Sequence, residues 1–174
     1  VPNYTDWDNP SGNLVYSTYV SPYFPWHAFN NDFIDYIASG LPHGWATVSS
    51  TNDRTTIAPY IGDYIGWYNT QLLKKKVLIY TNWTLGYEYY VERYPEQTPR
   101  TGFIQGTLDG INWETIQSFD TGGLYVEYYL NNDNRSKAYY GFRLYLLSEQ
   151  STNSHYVLDS LQFMCLDEDE YFTF

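Results

Sequence analysis

Three histidines, one cysteine and twenty acids are the groups in this 174-residue chain that could move a proton, attack a carbonyl or hold a metal. His27, His43 and His155 show neither H-x-x-x-H nor H-x-H spacing, so no pair is set to grip a metal from one element. Cys165 stands alone, which excludes an intramolecular disulfide and a cysteine-rich zinc site and leaves it as a small core residue. No G-x-S-x-G elbow and no glycine loop for phosphate occurs. Asp32, Asp35, Glu88 and Glu92 could pair only through folding, which spacing does not reveal. The expectation is a protein without catalytic machinery.

Binding is better supplied. Aromatics make up 21% of the chain, with 21 tyrosines, against 17% charged residues. Some of these rings must be core, and the rest belong on a surface, where aromatic side chains favour recognition. The stretch from Trp83 to Arg100 gathers Trp83, Tyr87, Glu88, Tyr89, Tyr90, Glu92, Arg93 and Tyr94. Mixed rings and charges in a long loop fit a ligand or partner surface. Part of it, Tyr87–Val91, reads equally as an extra strand with Tyr89 inward.

The net charge of −11, with only nine Lys and Arg, argues against nucleic acid as a partner and disfavours anionic membrane surfaces. The one basic run, Lys74-Lys75-Lys76, reads as a solvated strand entry, with an anion contact as the alternative. No apolar run is long enough to span a membrane and no leader is encoded in this sequence. Its first residue is Val1, so a larger parent chain or a processed precursor is expected, as part of a larger chain or assembly. Asn3, Asn82 and Asn134 open glycosylation sequons.

The elements that must position these residues are strands. Short apolar runs alternate with Gly, Pro, Asn and Ser clusters at sandwich spacing. Strands are expected at Leu14–Tyr19, Thr56–Ile61, Tyr64–Asn69, Lys76–Thr81, Phe103–Leu108, Glu114–Phe119, Leu124–Leu130, Ala138–Leu146 and Leu158–Cys165. A helical turn fits Trp26–Phe33. Asn131-Asn132-Asp133-Asn134 reads as an exposed loop. Residues 1–13 read as an arm or linker, 14–166 as one domain, and 167–174 as an acidic, aromatic tail that is either a loose end or a docking peptide.

Asp109-Gly110 is the sharpest local signal. It supplies the positive φ of a tight turn between two strands, flanked by Phe103 and Trp113, residues a packed sheet buries. The segment Gly106-Thr107-Leu108-Asp109-Gly110-Ile111-Asn112-Trp113 resembles the G-S-x-D-G-x-x-W element of discoidin-like domains, the coagulation-factor C-type or galactose-binding-like modules. Thr107 stands where that family usually has serine. Ala28-Phe29-Asn30-Asn31-Asp32 with Gly44-Trp45, Ile65-Gly66-Trp67-Tyr68, Lys76–Tyr80, Tyr139–Leu144 and His155–Phe163 follow in the family's order.

The resemblance implies an all-β fold, an antiparallel jelly-roll sandwich, and a non-catalytic carbohydrate-binding or adhesion module on an extracellular or virion surface. Its glycan site would lie in loops at one end, where rings pack on the C–H face of a pyranose and polar groups chelate hydroxyls. Carried over position by position, that site takes in Tyr23, Trp26, Asn82, Trp83 and Glu88, and the long loop adds Tyr87 and Arg93. Ala46 and Asn82–Trp83 stand where galactose binders often have His and Arg, which points away from galactose. The family's calcium would fall on Asn30, Asp32 and Asp35, although Asn30 replaces the usual aspartate. The alternative is a protein-docking domain of a multi-subunit particle such as a phage capsid or tail appendage.

Overall fold

Alternation decides which side of each strand stays wet. The structure, a computed structural model, describes residues 13–17, 28–29, 45–46, 63–70, 74–84, 101–120, 125–147, 157–158 and 160–172. In β3 (Asp63–Tyr68) Ile65 and Trp67 are buried while Tyr64 and Tyr68 keep exposed surface. In β8 (Gly141–Leu146) Phe142, Leu144 and Leu146 are buried and Arg143 and Tyr145 are not. Such period-two patterns turn one face to a core and leave the other to solvent.

Five strands pair antiparallel in the order β1 (Asn13–Tyr16), β3, β8, β5 (Thr101–Thr107) and β6 (Trp113–Asp120). Three more pair in the order β10 (Ser160–Asp167), β4 (Lys76–Thr84) and β7 (Tyr125–Tyr129). A short ladder joins β2 (Trp45–Ala46) to β9 (Val157–Leu158). The inner faces of the two larger sheets meet in one core. Ile65, Trp67, Ile104, Phe142 and Leu144 pack there with Leu78, Trp83, Val126, Leu161 and Phe163. Phe142 and Phe163 meet across the layers at 6.0 Å between ring centroids. The antiparallel β-sandwich expected from the sequence is the architecture found.

Each expected strand within the described residues is present, with shifted ends; Thr56–Ile61 lies outside them. The expected Ala138–Leu146 strand starts only at Gly141. Its first residues cross between sheets, because Tyr139 exchanges both backbone hydrogen bonds with Lys76 of the other sheet at 2.8 Å each. The expected Leu158–Cys165 strand divides into β9, paired with β2, and β10, paired with β4. Ala28 and Phe29, inside the expected helical turn, form a short 3-10 turn and are buried.

Phe103 and Trp113 depart from expectation. Both are only half-buried, because alternation along β5 gives the inward place to Ile104 and turns Phe103 outward. The turn between β5 and β6 behaves as its residues imply. Gly110 has φ 78°, and a Cβ there would strike the Tyr68 ring. The Asp109 carboxylate accepts the Ile111 and Asn112 N–H groups at 2.8 and 2.7 Å. The Thr107 hydroxyl accepts the Gly110 N–H at 2.9 Å and donates to the Asn112 carbonyl at 2.6 Å. A hydroxyl is what the turn needs, so threonine serves where serine is usual.

Asn132–Arg135 is a 3-10 turn held by a core amide. Gln117 Oε1 accepts the Asn131 N–H and the Asn134 side-chain amide, each at 2.8 Å. After β10 the chain forms a short helix, α1 (Glu168–Phe172). Lys76 pairs with Asp167, Lys75 with Glu168 at 3.5 Å and Lys74 with Asp169 at 2.5 Å. The basic run is therefore both a strand entry and the counter-charge to the acidic tail. No described helix is long and apolar enough to cross a membrane.

Candidate ligand-binding surface

Strand β4 carries two residues expected in the glycan site, and it sends them to opposite sides. Thr81 and Trp83 are buried on the inner face, at 0% and 1% exposure. The Trp83 ring packs on Phe119 at 5.2 Å between centroids. A ring enclosed this way cannot stack on a ligand, so the expectation for Trp83 is corrected: it is a core residue. The reason is parity, since a residue two places from buried Thr81 on a sandwich strand faces the same core.

Asn82, between them, faces outward and keeps exposed surface. Register places Gln162 of β10 on one side of it and Glu127 of β7 on the other. Among the described residues its amide has no hydrogen-bond partner. The neighbouring row on the same face, about 7 Å along the strands, is Met164, Tyr80 and Tyr129. The Tyr80 and Tyr129 rings lie 4.7 Å apart at 32°, and Tyr129 is 54% exposed. The outer face of the three-stranded sheet thus sets a row of two amides and a carboxylate beside a row of two rings and a thioether.

Such a surface can cover the apolar face of a sugar ring and offer both donors and acceptors to its hydroxyls. Sequence reasoning missed Tyr80, Tyr129, Gln162 and Glu127 here. They come from three strands separated by long stretches of chain, and only the ladder register makes them neighbours. Tyr23, Trp26, Tyr87, Glu88 and Arg93, and the calcium candidates Asn30, Asp32 and Asp35, lie outside the described residues. Among the described residues no group of three His, Cys, Asp or Glu is placed to hold a metal ion.

Two reactive side chains among the described residues are occupied structurally. The Cys165 sulfur packs against the core beside the Phe163 carbonyl, and burial pushes its thiol up to about 12. A thiol held protonated in this way is no nucleophile at neutral pH. Tyr139 is likewise raised to about 12, first by burial and then by the Glu114 carboxylate to which its hydroxyl donates at 3.1 Å.

No family model and no curated protein matches the sequence. Solved structures do match. Chitosan-binding module 1 from a chitosanase/glucanase of Paenibacillus sp. IK-5 is 13% identical, with 88% of this chain and 94% of that chain covered and a TM-score of 0.57. The CBM32-3 module of a family 31 glycoside hydrolase from Clostridium perfringens is 13% identical over 87% and 88%, with a TM-score of 0.57. CBM62 from Clostridium thermocellum Xyl5A is 13% identical over 90% and 96%, with a TM-score of 0.56. At these identities the likeness establishes the fold, the discoidin-like sandwich shared by galactose-binding-like carbohydrate-binding modules.

Proposed function

We propose that this chain is a non-catalytic carbohydrate-binding module that tethers a larger protein to glycans on an extracellular or virion surface. The observation that carries the reading is the outer face of the three-stranded sheet, where the Tyr80–Tyr129 ring pair adjoins the Gln162–Asn82–Glu127 row. A rigid ladder fixes these side chains, so little ordering entropy is lost when a sugar docks. The solved modules of this fold named above support the same reading, since one is described as chitosan-binding and the others as carbohydrate-binding modules. Tyr23, Trp26, Tyr87, Glu88 and Arg93 are further glycan contacts in this proposal, and Asn30, Asp32 and Asp35 are its calcium ligands.

The test is a broad glycan array probed with the purified chain, with calcium and again with chelator. Retention of a defined neutral sugar class that Tyr129→Ala abolishes at unchanged melting temperature is the expected result. Loss under chelator places a metal in the site. A blank from folded protein overturns the reading.

A second reading has its own observation. Leu166 and Phe172 are each 44% exposed and Met164 is 38% exposed along β10 and α1. An apolar strip of this kind suits a protein-docking domain in a multi-subunit particle. A blank array together with a stable complex lost on Phe172→Ser would favour it.

A further inference from the structure

Arg143 has an environment that the fold alone does not require. It projects from the outer face of the five-stranded sheet, between inward-facing Phe142 and Leu144. Its guanidinium carbon lies 4.5 Å from the Tyr64 ring on neighbouring β3 and 4.5 Å from the Trp113 ring on β6. Tyr145 is 5.4 Å away and stacks with Tyr64, centroids 6.5 Å apart and planes within 5°. Rings approach the guanidinium from both sides along the sheet, which holds the planar group by cation–π attraction.

One edge of the group is also fixed. Arg143 Nε donates to Gln105 Oε1 at 2.7 Å, and Gln105 Nε2 donates to Thr115 Oγ1 at 3.2 Å. Gly66 stands directly opposite Arg143 in the ladder. A Cβ at Gly66 would come within 2.5 Å of the Arg143 backbone and Cβ. The absence of a side chain there leaves the arginine room to lie along the sheet.

Among the described residues the guanidinium lacks an acid. Lys74, Lys75, Lys76 and Lys137 each pair with a carboxylate. Arg143 has none among the described residues, in a chain with 20 acids and nine bases. Burial lowers its pKa, yet arginine starts so high that it stays charged at neutral pH. Among the described residues this half-desolvated cation, flanked by rings and engaged at Nε, has its two terminal nitrogens left to donate. That pair matches the two oxygens of a carboxylate in a parallel, bidentate contact.

We propose that Arg143, Tyr64, Trp113 and Gln105 form a second sugar subsite, on the sheet opposite the Tyr80–Tyr129 face, that takes the carboxylate of a uronic acid. The subsite rests on the glycan-binding reading and adds to it a ligand class. Arg143 holds the carboxylate, while Trp113 and Tyr145, both partly exposed, offer apolar surface to the pyranose ring. Gln105 acts by positioning Arg143 and does not itself need to touch the sugar.

Calorimetry on the folded chain tests it with four probes: oligogalacturonate, the same oligomer methyl-esterified, a neutral galactan oligosaccharide and a sulfated galactan oligosaccharide. The expected result is that the free acid binds at least tenfold more tightly than its ester, and that Arg143→Met removes this preference. Arg143→Lys, which keeps the charge and loses the fork, should recover less than half of the lost binding energy. It also serves as the folded comparison should Arg143→Met fail to fold. Equal binding of acid and ester, or an acid preference that survives in the Arg143 variants, overturns the subsite. Equal binding of the sulfated oligomer overturns its assignment to uronates. Neutral binding without acid binding overturns the subsite alone, whereas silence with all four probes overturns the glycan reading and the subsite with it.

Discussion

Lys76 stands directly opposite Asp167 across the β4–β10 ladder, and their side chains meet in an ion pair. The Glu168 N–H continues the contact by donating to the Lys75 carbonyl at 2.9 Å. The tail is thus tied by backbone and by charge where β4 begins.

Lys76→Met is expected to cost about 0–1 kcal/mol of global stability, as for a partly exposed pair. Its larger effect should be local, as faster amide hydrogen exchange across Glu168–Phe172, measured against the β8 amides as internal control. Unchanged exchange in α1 would show that the ion pairs do not hold the helix.

Trp83→Ala should destabilise the sandwich by about 3–5 kcal/mol, as for removal of a large buried ring. For a chain of this length that lowers the melting temperature by on the order of 10 °C. Thermal unfolding followed by circular dichroism reads the effect. A drop of only a degree or two would contradict the buried placement of the ring.

Asp109 gives a pH signature. Hydrogen bonds from Asn112, through its backbone and then its side chain, and from Ile111 lower its pKa from 3.8 to about 2. A depressed folded-state pKa favours the ionised form in the folded chain, so the stabilisation is fully present above about pH 4 and is lost as pH falls toward 2. Asp109→Ala should therefore be less stable than the parent chain at pH 6, with the gap narrowing as pH falls from 4 to 2. Denaturant melts of both chains at several pH values measure that gap.

Cys165 should be unreactive toward a thiol reagent at pH 8 in the folded state and react fully in denaturant. With a folded-state pKa near 12, its contribution is present below the ordinary thiol pKa and is lost as pH rises from about 9 toward 12. Rapid labelling of native protein would show the sulfur to be open to solvent.

The strands were legible because alternation and turn chemistry are local. Asp109-Gly110 announced its turn, and Ile65 with Trp67 announced an inward face. The surface of the candidate site was not legible for two physical reasons. A strand's alternation shows that Asn82 and Trp83 face opposite ways without showing which of them faces the core, and the burial of Trp83 decides it. Neighbours across a ladder are set by register, so Tyr80 with Tyr129, and Arg143 with Tyr64 and Trp113, leave no trace in spacing. The carried-over family positions depended on the loops, and of these only Ala46, Asn82 and Trp83 fall among the described residues.

The ladder between β10 and β4 steps once, from Met164 opposite Tyr80 to Cys165 opposite Leu78, so that Ile79 is the extra residue. That bulge is a change of phase, and it lets β4 carry one residue more than β10 with the pairs on either side still in step. Deleting Ile79 would restore a regular ladder that keeps Leu78 opposite Cys165 and Lys76 opposite Asp167, and would remove the carbonyl that accepts the Leu130 N–H at 3.0 Å. The spare residue thus serves the other neighbour, letting β4 keep step with β10 while its carbonyl reaches the end of β7.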